Sequence, residues 1–288
     1  MKLPQILFVV ILSVAAAFAT AKYVSPVADG ARAKETAYER ILRTNTIRCG
    51  YINWMPVVAK DPVSKKMMGY WPEVMEAIAA SMHLKIEWTE ELNLGTYLQD
   101  LNNKRYDLEC AGGWPNAERG KFIYYSAPIF YSPLVPFVRA NDTRFDDGIA
   151  NLDSPNLTGA VVDGDTSQTI KRDRFPHMKE LSLPQLSAIN EYFLAVMTGK
   201  ADVTFSDYVG ALDYMKNNPG KIKPLPYVLR LVPQNIGIPL GDDRLLNMLN
   251  TAILQLQTDG TFDRIIGKYG ESLSLLRIAK PYQIENKP

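Results

Sequence analysis

An internal repeat constrains the fold of this chain more than any other feature of its sequence. Residues 97–112 read YLQDLNNKRYDLECAG, and residues 192–207 read YFLAVMTGKADVTFSD. In each copy a helical pattern ends at a lysine, and an aspartate (Asp107 or Asp202) opens a short apolar strand. Because such units are typical of parallel sheets, the repeat predicts two α/β lobes. A chance match is the alternative, since αβ connections of this kind are common.

The rest of the sequence fits two lobes. Strand patterns lie at 46–51, 84–88 and 157–162, and helical patterns at 70–82, 243–258 and 261–269. Two extended segments, 136–140 and 235–239, are predicted to connect the lobes as hinges. The first lobe is therefore expected to comprise residues 36–138 and 239–288, and the second lobe residues 140–234.

The N-terminal segment has the pattern of an export signal. An apolar run at residues 6–19 is interrupted only by Ser13, and it is shorter than the roughly 20 residues that a membrane-spanning helix needs. The Ala-Thr-Ala motif at 19–21 predicts cleavage after Ala21, which makes residues 1–21 a signal peptide. An uncleaved anchor is the alternative.

Composition and charge exclude several classes of function. The 32 Lys and Arg nearly balance the 31 Asp and Glu, for a formal net charge of +1. Because nucleic-acid binding needs a basic stripe, no nucleic-acid partner is expected. Two histidines and two cysteines are too few for an ordinary zinc or iron site, so no metal and no other cofactor is expected. An apolar content of 47% excludes intrinsic disorder.

Candidate ligand-binding residues follow the predicted strands. In open parallel sheets, ligands bind beyond the carboxyl ends of the strands, near helix N-termini. This rule selects residues 111–119 in the first lobe, and residues 164–167 and Asp207 in the second. Arg119 can hold a carboxylate through two hydrogen bonds, and Asp207 can accept from an ammonium group. The inventory suits a small zwitterion bound between the lobes.

At these residues the chain resembles the family 3 periplasmic solute-binding proteins, the amino-acid-binding components of ABC importers. The family pattern D-v-x-x-A-G-M-T-x-T-x-E-R-x-K-x-x-x-F-S-x-P-Y is matched by DLECAGGWPNAERGKFIYYSAPIF at 107–130. The second-lobe patterns are matched by GAVVDGDTS at 159–167 and GKADVTFSD at 199–207. A terminal D-G-T-x-x-x-I-x-x-K-Y pattern is matched within 259–269, so that the resemblance extends over about residues 41–269.

The resemblance implies an architecture and a role. The fold would be the two-lobed type II periplasmic binding protein fold, α/β, with a mostly parallel sheet flanked by helices in each lobe and two hinge crossings. The protein would be a periplasmic monomer that closes over a small polar solute, an amino acid or a related zwitterion. Its second partner would be the membrane permease of an ABC transporter.

The resemblance also assigns roles to single residues. Arg119 would clamp an α-carboxylate, assisted by the N–H groups around Thr166, and Asp207 would take the α-amino group. Gly112 would offer its carbonyl, and Tyr70 would wall the side-chain pocket. From the residues alone, Arg119 could instead form a surface ion pair, with Glu118 or Asp207 as its partner.

Two departures from the family pattern concern tryptophans. Trp114 stands where the family usually has threonine or serine. The first strand leads to Trp54 without the aspartate that usually precedes the aromatic residue. With Trp54, Trp114 and Tyr70 near one cleft, the pocket is expected to be more apolar than is usual, whereas Trp71 is expected to pack inside its lobe.

Glu109 and the two cysteines raise separate questions. A charge inside a buried strand needs a partner, and Arg48 on the neighbouring strand is the nearest candidate for Glu109. Cys49 and Cys110 lie on the same two strands. In an oxidising compartment they can form a disulfide if their Cα atoms lie within about 7 Å, and free thiols are the alternative.

Three functions compete for this sequence. The first is a binding protein that serves an importer and performs no chemistry, so that no enzyme is expected. The second is an accessory or sensory protein with the same fold and no transport role. The third is an enzyme similar to the cyclohexadienyl dehydratases, which would need an acid in an apolar pocket. Glu109 and Glu73 are the candidates for that acid, although Glu73 fits a helix surface better.

Overall fold

The structure is a computed structural model that describes residues 35–146, 148–184, 190–270 and 277–278. The predicted signal peptide at 1–21 lies outside the described residues. Within the described part of the chain, no helix has the length and apolar character needed to cross a membrane.

Helices and strands alternate along most of the chain. The α-helices are α1 (Ala37–Thr44), α2 (Tyr70–Ser81), α3 (Tyr97–Asn102), α4 (Thr166–Arg174), α5 (Glu191–Met197), α6 (Tyr208–Asn217), α7 (Asp243–Thr258) and α8 (Thr261–Gly267). The strands are β1 (Thr46–Tyr51), β2 (Ala59–Lys60), β3 (Met67–Met68), β4 (Lys85–Glu91), β5 (Leu108–Gly113), β6 (Ile123–Tyr125), β7 (Phe130–Arg139), β8 (Thr158–Val162), β9 (Lys179–Leu183), β10 (Val203–Asp207), β11 (Ile222–Pro224), β12 (Arg230–Pro239) and β13 (Arg277–Ile278). Two 3₁₀ turns span Arg119–Lys121 and Ile149–Leu152.

Strand β12 joins two sheets of similar design. The first sheet has the order β4-β1-β5-β12, with β1 parallel to β4 and β5, and β12 antiparallel to β5 and β6. The second has the order β7-β10-β8-β9, with β8 parallel to β9 and β10, and β7 antiparallel to β10. The α/β fold with two lobes, predicted from the repeat and the resemblance, is confirmed.

The repeat has a structural counterpart in each lobe. Its two copies are α3 followed by β5, and α5 followed by β10. Strand β5 lies between the parallel strand β1 and the antiparallel strand β12, and β10 lies between the parallel strand β8 and the antiparallel strand β7. The aspartate of each copy fixes that position. The N–H of Asp107 donates to Arg48 O (2.9 Å), and the N–H of Asp202 donates to Thr158 O (2.7 Å). Each carboxylate accepts from the N–H of the same partner, at 2.7 and 2.9 Å.

Asp107 is fully buried and binds two arginines. Arg40 Nε lies 2.8 Å and Arg48 Nη2 2.9 Å from its Oδ1. The expectation that Arg48 pairs with Glu109 is therefore wrong, because Arg48 is held at Asp107, the residue that opens strand β5. Two arginines also pair with Asp202 in the second lobe.

The chain passes between the lobes along β7 and β12. These strands pair antiparallel over residues 130–134 and 230–234. Phe130 packs in the first core and Leu134 in the second. The second half of β7 pairs with β10 and β11 inside the second sheet, whereas the boundary expected from the sequence assigned residues up to 138 to the first lobe. The exact hinge positions stay a prediction.

The core of the first lobe explains two sequence features. Helix α2 buries Tyr70, Trp71, Val74, Met75 and Ile78, which the helical period places on one face. Trp71 packs against Tyr70 and Phe130, in the interior position expected for it. Cys49 and Cys110, on adjacent strands, form a disulfide with a Cα–Cα distance of 5.4 Å.

Candidate functional site

A cavity of about 130 Å³ lies between the two lobes. It opens at the carboxyl ends of β5, β8 and β10, where the rule for parallel sheets predicts ligand binding. Its apolar lining includes Trp54, Trp114, Tyr97, Tyr192, Leu92 and Phe205. Its polar side chains are Arg119, Glu109, Asp163, Asp165 and Ser206.

Arg119 is the guanidinium that the sequence predicts for the site, and it lines the cavity. The 3₁₀ turn after β5 carries it, and its guanidinium lies 5.7 Å from the centre of the Tyr97 ring. Its Nη2 donates to Gly164 O, 3.2 Å away in the other lobe. Burial by itself would lower the pKa of Arg119, but the acidic groups around it, Tyr97 and Asp165 foremost, raise it. The side chain is therefore a permanent cation at the mouth between the lobes.

Trp54 and Trp114 form an aromatic wall that both lobes share. Their rings meet edge to face, with centroids 5.6 Å apart. Trp114 packs against the cores of both lobes. Trp54 lies directly over Gly210 of α6, where a Cβ would overlap the indole. Neither indole N–H has a hydrogen-bond partner among the described residues, so both can donate to a solute that displaces a neighbouring group.

Asp207 is placed differently from the sequence expectation. Its side chain is 0% exposed and does not belong to the cavity lining. It caps α6 by accepting from Gly210 N (3.0 Å), and it accepts from Ser132 Oγ (3.0 Å). Burial raises the pKa of Asp207 to about 6, against the effect of these two donors. Because Trp54 lies beside the carboxyl over Gly210, a solute reaches Asp207 only if that indole moves.

Of the other three residues expected to contact the solute, one lines the cavity and two lie behind its lining. Gly112 lines the cavity, and its φ of +72° is a conformation that favours glycine. Thr166 is the first residue of α4, buried just behind the lining residue Asp165. Tyr70 does not wall the cavity in this structure, because it is 0% exposed and donates to Gln234 Oε1 at 2.8 Å.

Glu109 lines the cavity from strand β5, on the strand face shared with Ala111 and Gly113. Its Oε1 accepts from Ala111 N at 2.9 Å. Burial raises the pKa of Glu109 to about 7, although nearby N–H groups, including that of Gly237, and the charge of Arg119 lower it. The sequence marked this residue as anomalous in an apolar strand but did not place it in the site.

Sequence reasoning named neither of two further acids as a binding residue. Asp163 and Asp165 follow β8 and line the cavity. Asp163 accepts from Gln168 Nε2 at 3.1 Å, and Asp165 caps α4 through Ser167. The signal was available, because Asp165 lies within the selected residues 164–167 and Asp163 directly precedes them.

Glu73, the other acid considered for catalysis, lies away from the cavity. It pairs with Lys268, and it accepts from the Tyr269 hydroxyl at 2.7 Å. In the described part of the chain, no group of three His, Cys, Asp or Glu side chains is placed to hold a metal ion.

Two relatives known by sequence resemble the chain. A probable amino-acid ABC transporter-binding protein of Haemophilus influenzae is 24% identical over 88% of this chain and 92% of its own length. The membrane-bound lytic murein transglycosylase F of Cronobacter sakazakii is 28% identical over 70% of this chain, but the match spans only 39% of that protein.

Solved structures share the fold. An ancestral amino acid-binding protein, a precursor of cyclohexadienyl dehydratase, superposes with a TM-score of 0.70 at 23% identity, over 81% of this chain and 99% of that one. An ancestral arginine-binding protein bound to arginine gives 0.66 at 24% identity, over 78% and 98%. A putative ABC transporter binding component of Wolinella succinogenes, complexed with lysine, gives 0.69 at 21% identity, over 78% and 95%.

The family is established by a match over most of the chain. Residues 47–272 match the family model described as bacterial extracellular solute-binding proteins, family 3. This agrees with the resemblance found in the sequence motifs, and with two lobes that enclose a cavity containing Arg119. The chain belongs to the bacterial extracellular solute-binding proteins of family 3.

Proposed function

We propose that this protein is exported to the periplasm, where as a monomer it binds a small polar solute, an amino acid or a related zwitterion, for an ABC importer. The observation that carries the proposal is the contact of Arg119 with Gly164 across the cavity, at 3.2 Å. A guanidinium of one lobe that reaches the other is well placed to hold a carboxylate between them. The Haemophilus influenzae relative, an amino-acid transporter-binding protein, supports this class of solute.

Binding would close the lobes through differential affinity. A solute that contacts both lobes stabilises the state in which they are close, and a hinge absorbs the change. We place this hinge at the paired residues 130–134 and 230–234, where both chain crossings lie side by side. Trp54 and Trp114 would then cover the solute, because each already contacts both lobes.

The solute's two ends would face different groups. Its carboxylate would bind Arg119, with the N–H groups around Thr166 at the start of α4 assisting. Gly112 would offer its carbonyl. Its cationic end would face the acids of the cavity. By the family pattern, Asp207 is the candidate to bind the solute's ammonium group. This requires Trp54 to move away from it.

Replacement of Arg119 tests the proposal. We expect amino acids to raise the melting temperature of the wild-type protein, because a ligand bound only by the folded state stabilises it. In Arg119→Ala this shift is expected to vanish, since a charge-assisted hydrogen bond contributes about 1.5–3 kcal/mol. Thermal-shift screening followed by calorimetric titration measures both effects.

Arg172→Ala is the matched control, because Arg172 is an exposed arginine that pairs with Glu180. It should keep the full ligand-induced shift. An undiminished shift in Arg119→Ala would assign the carboxylate to another group. The absence of any shift with all amino acids in the wild type would contradict the proposed solute class.

An enzymatic role is the second candidate, and one observation favours it. Glu109 is a buried acid in an aromatic cavity whose pKa is raised to about 7, which is the property of a general acid. A solved structure with the same fold is that of a precursor of cyclohexadienyl dehydratase. We propose binding without chemistry, and we therefore expect no turnover of prephenate or arogenate by the purified protein. Measurable turnover would reverse this assignment.

An accessory or sensory role without transport differs from the main proposal only in the protein's partner. Uptake of the bound amino acid by cells that carry or lack this protein separates the two. We expect uptake to fall when the protein is removed.

A further inference from the structure

Glu109, which lines the cavity, has a buried carboxylate oxygen without a hydrogen-bond partner. The residue is 3% exposed, and its Oε1 accepts from Ala111 N at 2.9 Å. Its Oε2 has no hydrogen-bond partner among the described residues. An unpaired carboxylate oxygen in a buried position is costly, so a partner from outside the chain would be stabilising there.

Two glycines make the space that this carboxyl occupies. A Cβ on Gly113 would overlap Oε2, and a Cβ on Gly237 would lie 3.0 Å from Oε2 and 2.9 Å from the Glu109 Cβ. Gly237 belongs to β12 and pairs with Glu109 across the sheet. The cavity wall is therefore shaped around the acid on both sides.

The groups facing Glu109 do not neutralise it. Arg119, from the 3₁₀ turn, is the cation whose charge acts on it, but the two form no ion pair in the described structure, and Arg119 donates to Gly164 O instead. Tyr97 of α3, Tyr125 of β6 and Tyr106 are the other titratable groups that interact with it. All three tyrosines are neutral near pH 7, because burial raises each pKa above its usual value.

The cavity lining contains more acidic than basic side chains. One guanidinium, that of Arg119, faces three carboxyl groups, those of Glu109, Asp163 and Asp165. Asp163 and Asp165 already accept hydrogen bonds from side chains of α4. After a solute carboxylate has bound Arg119, the remaining charge of the site is negative. The site therefore favours a solute whose net charge is positive.

We infer that Glu109 binds a basic side-chain group of the solute, which makes it the residue that selects cationic amino acids over neutral ones. The inference rests on the proposed function and adds to it a class of solute and the residue that selects it. Arg119 and Glu109 would hold opposite ends of the same molecule, with the aromatic wall between the lobes covering its aliphatic part.

Binding at Glu109 is coupled to a proton. The carboxyl of the empty protein has a pKa of about 7 and is mostly protonated at pH 6. A cation beside it favours the ionised form and lowers this pKa. At pH 6, binding therefore releases a proton from Glu109 to the buffer, and affinity for a cationic solute falls as the pH decreases below 7. At pH 8 the carboxyl is already ionised, and no proton is released.

Calorimetric titration with L-lysine and L-glutamine tests the inference. In the wild type we expect tighter binding of lysine, with a heat at pH 6 that depends on the ionisation enthalpy of the buffer. Glu109→Gln should weaken lysine binding by roughly tenfold or more, change glutamine binding little, and abolish the buffer dependence. Glu87→Gln on the exposed edge strand β4 is the matched control and should behave as the wild type.

The outcomes separate the two proposals. If the wild type binds no amino acid in the thermal-shift screen, the proposed function fails, and the inference fails with it. If it binds other amino acids but not lysine, only the inference is overturned. If the wild type binds but Glu109→Gln keeps the preference for lysine, only the inference is overturned. Loss of lysine binding in Asp207→Asn but not in Glu109→Gln would return the role to Asp207. The proton release is measured on the wild-type protein, so the inference remains testable if a variant folds poorly.

Discussion

Glu109 and Asp207 are buried carboxyl groups that form no ion pair with a lysine or arginine in the described structure. Burial raises both pKa values, to about 7 for Glu109 and about 6 for Asp207. Each keeps one oxygen without a hydrogen-bond partner among the described residues, Oε2 of Glu109 and Oδ1 of Asp207. The two groups differ in position, because Glu109 lines the cavity, whereas Asp207 caps α6 behind Trp54. An unpaired buried carboxylate oxygen is destabilising for the empty protein.

Glu109→Gln should therefore stabilise the empty protein at alkaline pH. The pKa of Glu109 rises from an ordinary 4.5 to about 7 on folding. Below pH 4.5 both states hold the proton; between 4.5 and 7 the unfolded state loses it first, so rising pH favours unfolding. At pH 8 the ionised carboxylate costs about 3 kcal/mol. Urea denaturation should show the variant more stable by roughly that amount at pH 8.

Near pH 5 the same comparison should give a difference below about 1 kcal/mol. Asp207 titrates equally in both proteins and cancels. A pH-independent difference between them would show that folding does not raise the pKa of Glu109.

At the scale of secondary structure elements, the two aspartates of the repeat position the central strands. Asp107 and Asp202 each form backbone and carboxylate hydrogen bonds with the neighbouring parallel strand, β1 for Asp107 and β8 for Asp202. Because these bonds hold β5 and β10 in register with their neighbours, the loop that follows each strand begins at a defined position. For β5 this loop carries Trp114 and Arg119. The geometry of the site therefore depends on the buried carboxylate of Asp107, which lies at the opposite end of the strand.

Asp107→Asn should destabilise the protein strongly. The change leaves Arg40 and Arg48 without their shared buried carboxylate, and breaking a buried pair from one side costs roughly 3 kcal/mol or more. Asp146→Asn, which breaks an exposed pair with Lys223, is the control and should cost less than about 1 kcal/mol. Denaturant midpoints at pH 7.5 measure both, and similar small losses in the two variants would contradict this account.

At the scale of the whole molecule, the lobes meet through a few close contacts around the cavity. Arg119 reaches Gly164, and Trp54 lies on Gly210. Because glycine lacks a Cβ, α6 can approach the indole closely. The contact between Trp54 and Gly210 can form only when the lobes are close together. A substitution at Gly210 can therefore change the closure of the lobes without altering the hydrophobic core of either one.

Gly210→Ala should weaken solute binding while leaving the fold intact. Its Cβ would overlap the Trp54 ring, which opposes closure, and would lie 2.5 Å from Asp207 Oδ1 within the second lobe, whereas alanine within a helix is about 1 kcal/mol more favourable than glycine. We expect a reduced affinity for amino acids, with the empty protein still folded and still melting in one cooperative transition. Gly267→Ala, at the end of α8 with open space around it, is the control. Unchanged affinity in Gly210→Ala would show that closure does not use this contact.

The sequence by itself determined the two lobes, the loops that carry the site and the candidate arginine. These features follow from local signals: helical and strand periods, the repeated aspartate, and turn residues at fixed spacing. Adjacent strands also made the pairing of Cys49 with Cys110 conceivable, which the structure shows as a bond. Such patterns need no knowledge of how distant segments pack.

Only the tertiary structure decided which acids face the cavity. Asp207 is covered because Trp54, more than 150 residues earlier in the chain, lies over the start of α6. Glu109 fits into the cavity wall because Gly237, far along the chain on β12, has no side chain beside it. Both outcomes depend on side-chain contacts between segments distant in sequence. Such contacts are set by packing in three dimensions, and no local period in the sequence encodes them.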